Sequence, residues 1–94
     1  MKEIDDIRQK SIPVLKRNGV IKAGVFGSYA IGKIRRKSDV DMLVKFSGKK
    51  SLLDLAGLKI ELEEELGKKV DILTYKSLHP LLKDKILKQE KRIL

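Results

Sequence analysis

A small-residue pair and two nearby carboxylates are the residues of this sequence whose types and spacing can do chemistry. Gly27 and Ser28 follow an apolar segment, and Asp39 and Asp41 stand two positions apart at the start of another. A glycine lets the backbone come close to a phosphate group. Paired carboxylates are hard oxygen ligands of the kind that Mg²⁺ takes. A phosphate-binding turn beside a magnesium site is the minimum equipment for moving a nucleotidyl group.

The spacing of the acidic residues predicts on which face of a strand each side chain lies. Asp39 and Asp41 are expected on one face of a strand, because strand side chains repeat every two residues. Two like charges on one face repel each other unless a cation lies between them, and Asp is a poor strand former. Asp71 is on a later predicted strand, on the face opposite Val70. If these strands are neighbours, three carboxylates converge on Mg²⁺, and two ions about 4 Å apart can activate an attacking hydroxyl and steady a leaving pyrophosphate.

The phosphate-binding half of the predicted site combines a turn with positive charge. The Ser28 hydroxyl and the N–H groups at the start of the next short helix can bind the β- and γ-phosphates of a nucleotide. The connecting segment that follows is basic and adds positive potential; its cationic residues are Lys33, Arg35, Arg36 and Lys37. Taken singly, a Gly-Ser turn, an Asp-x-Asp pair and a basic loop are each more often structural, so it is their joint order that favours function.

The elements that must position these residues follow from periodicity and from turn residues. The sequence predicts helices over residues 3–18, 28–34, 52–66 and 80–90, and strands over 20–26, 39–46 and 70–75. This alternation indicates an α/β (α+β) fold, in which a small mixed sheet is flanked by helices. Pro13 predicts a kink or break in the first helix, and Arg92–Leu94 either extend the last helix or return as a short strand.

The third predicted helix has both a start signal and a stop signal. Ser51 and Asp54 form a capping-box pattern at its start, and Gly67 ends it. Five leucines supply the predicted buried stripe: Leu52, Leu55, Leu58, Leu62 and Leu66. Gly57 costs such a helix about 1 kcal/mol relative to Ala, and a close approach to the sheet would explain its presence.

Length and composition limit the class of protein. The 94 residues suit one domain, 1–94, and the absence of cysteine excludes disulfides and thiolate metal sites. The sequence has no apolar run long enough for a membrane span and no signal-peptide core, so we expect a soluble, cytoplasmic protein. The net charge of +9 fits polyanionic partners or, equally, a Lys- and Glu-rich surface of the thermophilic kind.

These motifs resemble those of the nucleotidyltransferase superfamily of the DNA polymerase β type. The resemblance covers nearly the whole chain and is carried by segments 27–32, 38–44, 70–73 and 78–90. The small size is most similar to the minimal single-domain branch, the MNT proteins that are paired with HEPN proteins in prokaryotic toxin–antitoxin modules.

The resemblance implies roles for individual residues. Gly27 and Ser28 match the triphosphate-binding pair of the family, Asp39 and Asp41 match its metal ligands, and Asp71 matches a third metal ligand that helps to activate the acceptor hydroxyl. It further implies Mg²⁺ as cofactor, ATP as nucleotide donor and a HEPN-type toxin as partner, with AMP transferred to a tyrosine of that toxin.

One position departs from the family pattern. Ile31 stands where relatives often carry Arg, and either Arg35 or Arg36 is a candidate to replace that charge.

Other functions stay open at this point. The chain could neutralise its partner by binding alone, or could transfer a nucleotide to a small molecule, in a hetero-oligomer or a homodimer. The few aromatic residues argue against direct binding of nucleic acid. His79 is the single histidine, and a position at the entry of the last helix, before Pro80, accounts for it better than a metal or general-base role.

Overall fold

The computed structural model describes residues 2–33 and 39–94, and α-helices and β-strands alternate along them. In chain order the elements are α1 (Lys2–Arg17), β1 (Val20–Phe26), α2 (Ser28–Ile31), β2 (Val40–Phe46), α3 (Leu52–Leu66), β3 (Val70–Thr74), a 3-10 turn (Tyr75–Ser77), α4 (Pro80–Gln89) and β4 (Lys91–Arg92). The predicted order of elements is confirmed; the bounds of β1 and α3 are as predicted, and the others differ by at most three residues. None of the helices described is long and apolar enough to cross a membrane.

The four strands form one mixed sheet in the order β3-β2-β1-β4. β1 runs antiparallel to both of its neighbours, whereas β2 and β3 are parallel. The parallel pair is joined through α3, because parallel neighbours need a long crossover connection. A mixed sheet flanked by helices confirms the predicted fold class.

The hydrophobic core lies on one face of this sheet, beneath α1 and α3. Alternate residues of the strands point into it, as the period of two requires. The fully buried strand residues on this face are Ala23, Val25, Val40, Met42, Val44 and Val70. Helix α1 contributes Val14 and Leu15, and α3 contributes Leu58 and Leu62.

Helix α1 is continuous through Pro13, so no break occurs there. Pro13 is exposed, and the two residues that follow it, Val14 and Leu15, are buried. Packing of this face against the sheet holds both halves of the helix in one element, although the proline removes one backbone hydrogen bond.

Helix α3 shows one prediction confirmed and two that are wrong. The capping box of Ser51 and Asp54 is present, with the Ser51 N–H donating to Asp54 Oδ2 at 2.9 Å. Leu52, however, is 83% exposed, because the first turn of α3 extends beyond the part of the helix that packs on the core. A Cβ atom at Gly57 would meet no atom within 4 Å, so this glycine does not serve a close approach to the sheet.

The C-terminal segment returns to the sheet as the short strand β4, the second of the two predicted alternatives. β4 pairs with β1, and Ile93 enters the core. The Tyr75 hydroxyl donates a hydrogen bond to the Glu90 carboxylate, which lies over Gly24 so closely that a Cβ atom there would collide with it. We call Tyr75 and Glu90 the C-terminal clamp, since they tie the chain after β3 to the segment before β4.

Candidate active site

At one end of the sheet, the last residue of β1 lies beside the starts of β2 and β3. Phe26 pairs with Asp41 across the antiparallel ladder, and Asp41 pairs with Asp71 across the parallel one. Paired residues point to the same face, and neighbouring strands lie about 4.8 Å apart. The carboxylates of Asp41 and Asp71 therefore leave the sheet side by side, on the face away from α1 and α3. Asp39 directly precedes β2 and is half-buried.

Gly27, at the turn after β1, is in contact with one of these carboxylates. It has a φ of 70° and a ψ of −147°, in the region of positive φ that favours glycine. A Cβ atom at this position would collide with Asp41 Oδ2. The Asp41 carboxylate thus lies directly against the Gly27 backbone, and both the conformation and the space require glycine here.

Helix α2 is a single turn that starts at Ser28. The N–H groups of Ala30 and Ile31 both donate to the Gly27 carbonyl, at 3.0 and 3.1 Å. The backbone donors suited to a phosphate are consequently those of Ser28 and Tyr29, at the very start of the turn. The prediction that this helix reaches residue 34 is wrong, because Gly32 adopts a φ of 76° and ends it.

We call Asp39, Asp41 and Asp71 the carboxylate row. Its electrostatics are those of a site that lacks positive charge. Burial raises the pKa of Asp41 most, and the charges of Asp71 and then Asp39 raise it further. Each of these causes disfavours the ionised form of Asp41. A divalent cation held by the row would offset the repulsion, so this all-oxygen donor set fits Mg²⁺ in its chemistry.

The carboxylates are neighbours without forming a closed cage. Within residues 2–33 and 39–94, no three His, Cys, Asp or Glu side chains are grouped closely enough to hold a metal ion by themselves. Mg²⁺ usually keeps several waters and binds through one or two carboxylates together with substrate phosphates. The metal roles of Asp39, Asp41 and Asp71 accordingly stay predictions that rest on the row and its charge.

Two predicted phosphate-binding residues, Arg35 and Arg36, lie outside the described residues, which omit 34–38. Of the basic segment the structure describes Lys33, which is exposed directly after α2. Ile31, the position where the sequence departs from the family pattern, is also exposed.

His79 occupies the helix-entry position that the sequence predicts for it. Its Nδ1 atom accepts a hydrogen bond of 3.1 Å from the Leu81 N–H, and Pro80 follows at the first position of α4. The side chain therefore caps a helix, on a segment separate from the carboxylate row.

Sequence reasoning missed the residue that holds the start of β3. Glu63 of α3 accepts a hydrogen bond of 3.0 Å from the Val70 N–H, one residue before Asp71. The Lys69 carbonyl accepts a bond of 2.9 Å from the Val40 N–H, which fixes β3 against β2 at the same level. Glu63 lies among four glutamates between positions 61 and 65, so no local signal distinguishes it.

Known proteins are similar to this chain in sequence and in fold. The family model described as polymerase beta, nucleotidyltransferase matches residues 9–94. The "Putative protein adenylyltransferase MJ0435" of Methanocaldococcus jannaschii is 55% identical over 91 residues, which cover 97% of this chain and 98% of that protein.

Two solved structures have the same arrangement of elements. One, a "putative minimal nucleotidyltransferase", superimposes with a TM-score of 0.82 at 37% identity, covering 96% of this chain and 92% of that one. The other is a chain of a toxin–antitoxin structure with AMP-PNP, which has a TM-score of 0.82 at 26% identity and covers 93% of this chain and 72% of that one. Sequence and fold agree, and the chain belongs to the polymerase β-type nucleotidyltransferase family and is a nucleotidyltransferase.

Proposed function

We propose that this chain is a Mg²⁺-dependent protein adenylyltransferase that transfers AMP from ATP to a tyrosine hydroxyl of a HEPN-type toxin, and that it acts as the antitoxin of that toxin. We further propose that residues 1–94 make one minimal domain of this kind and that it works in the cytoplasm. The observation that carries the proposal is the contact of the Asp41 carboxylate with the Gly27 backbone, beside Asp71 in register.

That contact supports nucleotidyl transfer because it places the two halves of the reaction together. In the transfer, the acceptor oxygen forms a bond to the α-phosphorus, the bond from that phosphorus to the bridging oxygen breaks, and pyrophosphate leaves. In this proposal the donors at Ser28 and Tyr29 would bind the departing phosphates, and the carboxylates next to them would flank the α-phosphate.

The carboxylates have separate roles in this scheme. Asp39 and Asp41 would hold the metal, which supplies charge neutralisation for the phosphates. Asp71 is exposed at the edge strand, on the side from which a second protein can approach. It would orient the acceptor hydroxyl and help to take up its proton.

The choice of nucleotide and partner is supported by the comparisons. The relative of Methanocaldococcus jannaschii carries the name of a protein adenylyltransferase, and the chain with AMP-PNP comes from a toxin–antitoxin structure. The HEPN class of the toxin follows from the resemblance to the MNT branch.

The direct test mixes the purified chain with Mg²⁺, ATP labelled at the α-phosphate and a purified HEPN-type protein from the adjacent gene. Label is expected on the partner, whereas ATP labelled at the γ-phosphate should leave none. The Asp39→Asn variant should lose transfer, and Asp84→Asn, which alters an exposed carboxylate of α4, should retain it. Absence of label, or equal transfer by Asp39→Asn, would reject the enzymatic proposal.

The same reagents separate catalysis from neutralisation by binding. If Asp41→Asn loses transfer yet still inhibits the toxin fully, the protein acts by complex formation and not by adenylylation. Replacing the partner's tyrosines with Phe, one at a time, identifies the acceptor, and label that persists in all of them excludes tyrosine.

A further inference from the structure

Helix α3 is apolar on two opposite sides, and only one of them packs on the core. Leu58 and Leu62 face the sheet and are fully buried. On the far side Leu53 is 84% exposed and Ile60 is 56% exposed. Large apolar side chains that are exposed next to each other can mark a protein–protein contact surface, so the outer side of α3 is suited to a partner.

The outer residues follow one stripe along the helix. Leu53, Ala56, Gly57 and Ile60 are spaced by three and four residues, which places them on one side of the helix. We call these four residues the outer stripe. Glu64, four residues after Ile60, continues the stripe at its C-terminal end.

Neither packing among the described residues nor backbone conformation requires glycine at position 57. A Cβ atom there would meet open space, and its φ is not positive, so alanine would fit without strain. Glycine inside a helix nevertheless costs stability relative to alanine. At the centre of an apolar stripe, however, Ala56 and Gly57 allow the axis of a second helix to approach to about 8 Å, the close end of the usual range.

We propose that the outer stripe is a self-association surface, on which α3 of a second copy of this chain docks antiparallel about a two-fold axis near Ala56 and Gly57. The midpoint of Leu53 and Ile60 falls between these small residues. A two-fold arrangement therefore sets Leu53 of each copy against Ile60 of the other, as an isologous interface requires.

The charges at the two ends of the stripe are complementary in this arrangement. Lys49 precedes the N-terminal end, and Glu64 lies at the C-terminal end. Among the described residues neither Lys49 nor Glu64 forms an ion pair within the chain, whereas Glu61 is already bound by Arg17 at 2.8 Å. Antiparallel docking brings the lysine end of one copy beside Glu64 of the other at both ends, and parallel docking would bring like charges together.

The position of α3 makes this surface independent of the candidate active site. The helix covers the core face of the sheet, and the row of Asp41 and Asp71 lies on the opposite face. A dimer formed through the outer stripe would display two such rows outward.

Sedimentation velocity across a concentration series measures the association directly. One helix pair buries less than the roughly 800 Å² per partner of a standard interface, so we expect a weak dimer, seen between about 10 µM and 1 mM. Leu53→Lys should weaken the association at least tenfold. Leu52→Lys, which alters an equally exposed leucine off the stripe, should leave it unchanged.

Gly57→Ala distinguishes a helix–helix contact from a helix face that is only exposed to solvent, because it should change monomer stability and self-association in opposite directions. The added methyl group should raise the melting temperature of the dilute monomer by about 4–8 °C, because alanine is the better helix former. The same methyl group should weaken self-association, because it lies at the closest point of the two helices.

Charge reversal tests the antiparallel arrangement. Glu64→Lys and Lys49→Glu should each weaken the dimer, and the combined double variant should restore it. A chain that stays monomeric throughout the series overturns the proposal. So does an equal effect of Leu52→Lys and Leu53→Lys, or a Gly57→Ala variant that associates as tightly as the parent. A monomer whose Leu53→Lys variant loses binding to the HEPN-type partner also overturns it, and assigns the outer stripe to that partner.

Discussion

Along β2, Val40, Met42 and Val44 point to the helix-covered face and are fully buried, whereas Asp41 points to the open face and has a raised pKa. The same strand thus serves stability on one side and a charged site on the other. On β2 the core face carries only apolar side chains, whereas the opposite face carries the buried Leu43 and then Asp41, whose pKa the charges of Asp71 and Asp39 raise. The contrast indicates that the site exists at a cost to the fold, which the packing of the opposite face offsets.

The largest effect is expected on the core face. Leu62→Ala should lower the free energy of unfolding by about 2–5 kcal/mol, since it removes a fully buried side chain and leaves a cavity. Urea unfolding measures the loss. Leu52→Ala in the same helix, at an exposed position, should change it by less than about 0.5 kcal/mol. Equal losses would mean that the packed part of α3 and its exposed first turn do not differ as described.

On the open face, Gly27→Ala should cost activity more than stability. A Cβ atom there displaces the Asp41 carboxylate, and a displacement of about 1 Å near the reacting atoms can lower the rate about 100-fold. Gly48→Ala is the matched control, because Gly48 also has a positive φ, of 81°, and a Cβ atom there meets nothing within 4 Å. Both variants carry the backbone strain, so only Gly27→Ala should lose nucleotidyl transfer.

The C-terminal clamp gives a smaller effect. Tyr75→Phe removes the hydroxyl that donates to Glu90 and should lower the free energy of unfolding by about 1 kcal/mol. Burial and this hydrogen bond both raise the pKa of Tyr75, so the hydroxyl stays protonated and remains the donor near neutral pH. Hydrogen exchange should accelerate at the Leu94 N–H, which donates to the Ala23 carbonyl at 3.1 Å. Unchanged exchange there would show that the clamp does not hold β4.

The smallest effect is expected for Asp41→Asn, which should make the metal-free protein slightly more stable. The folded pKa of Asp41 lies above its ordinary value of 3.8, so between these two values the folded chain binds more protons than the unfolded chain. The free energy of unfolding therefore falls as the pH rises through this window. Without metal, Asp41→Asn should be slightly more stable than the parent above the window, and the gain should vanish below it. Urea unfolding with a chelator, at pH values above and below this window, measures the gain, and equal stability of the two proteins at every pH would contradict it.

The sequence predicts much of the fold because its signals are local. The alternation Val40, Met42, Val44 identifies β2 and its buried face, and the capping box at Ser51 fixes the start of α3. The helical period of the leucines does not show how far a helix extends beyond the sheet it covers. The period therefore predicts Leu52 in the core, whereas this residue is exposed. Similarly, the helix after Ser28 looks longer in sequence than the one turn that Gly32 permits.

The candidate site is predictable in its residue types and only conditionally in its geometry. Whether Asp71 stands beside Asp41 depends on the pairing of β2 with β3, which is a long-range property of the sheet. The contact of Asp41 with Gly27 depends on the register of β1 with β2. Glu63 and the C-terminal clamp act across 7 and 15 residues through exposed or half-buried side chains, for which sequence offers no periodic signal.

The parallel pairing of β2 with β3 has a consequence for protein synthesis. Asp39 and Asp41 leave the ribosome about 30 residues before Asp71, and all of α3 is synthesised before Asp71 can pair in register with Asp41. A nascent or prematurely terminated chain that stops within α3 would carry the nucleotide turn and two acidic residues, yet would lack the residue beside which the acceptor is expected to stand. Such fragments should be catalytically inert, so activity reports that translation has passed β3.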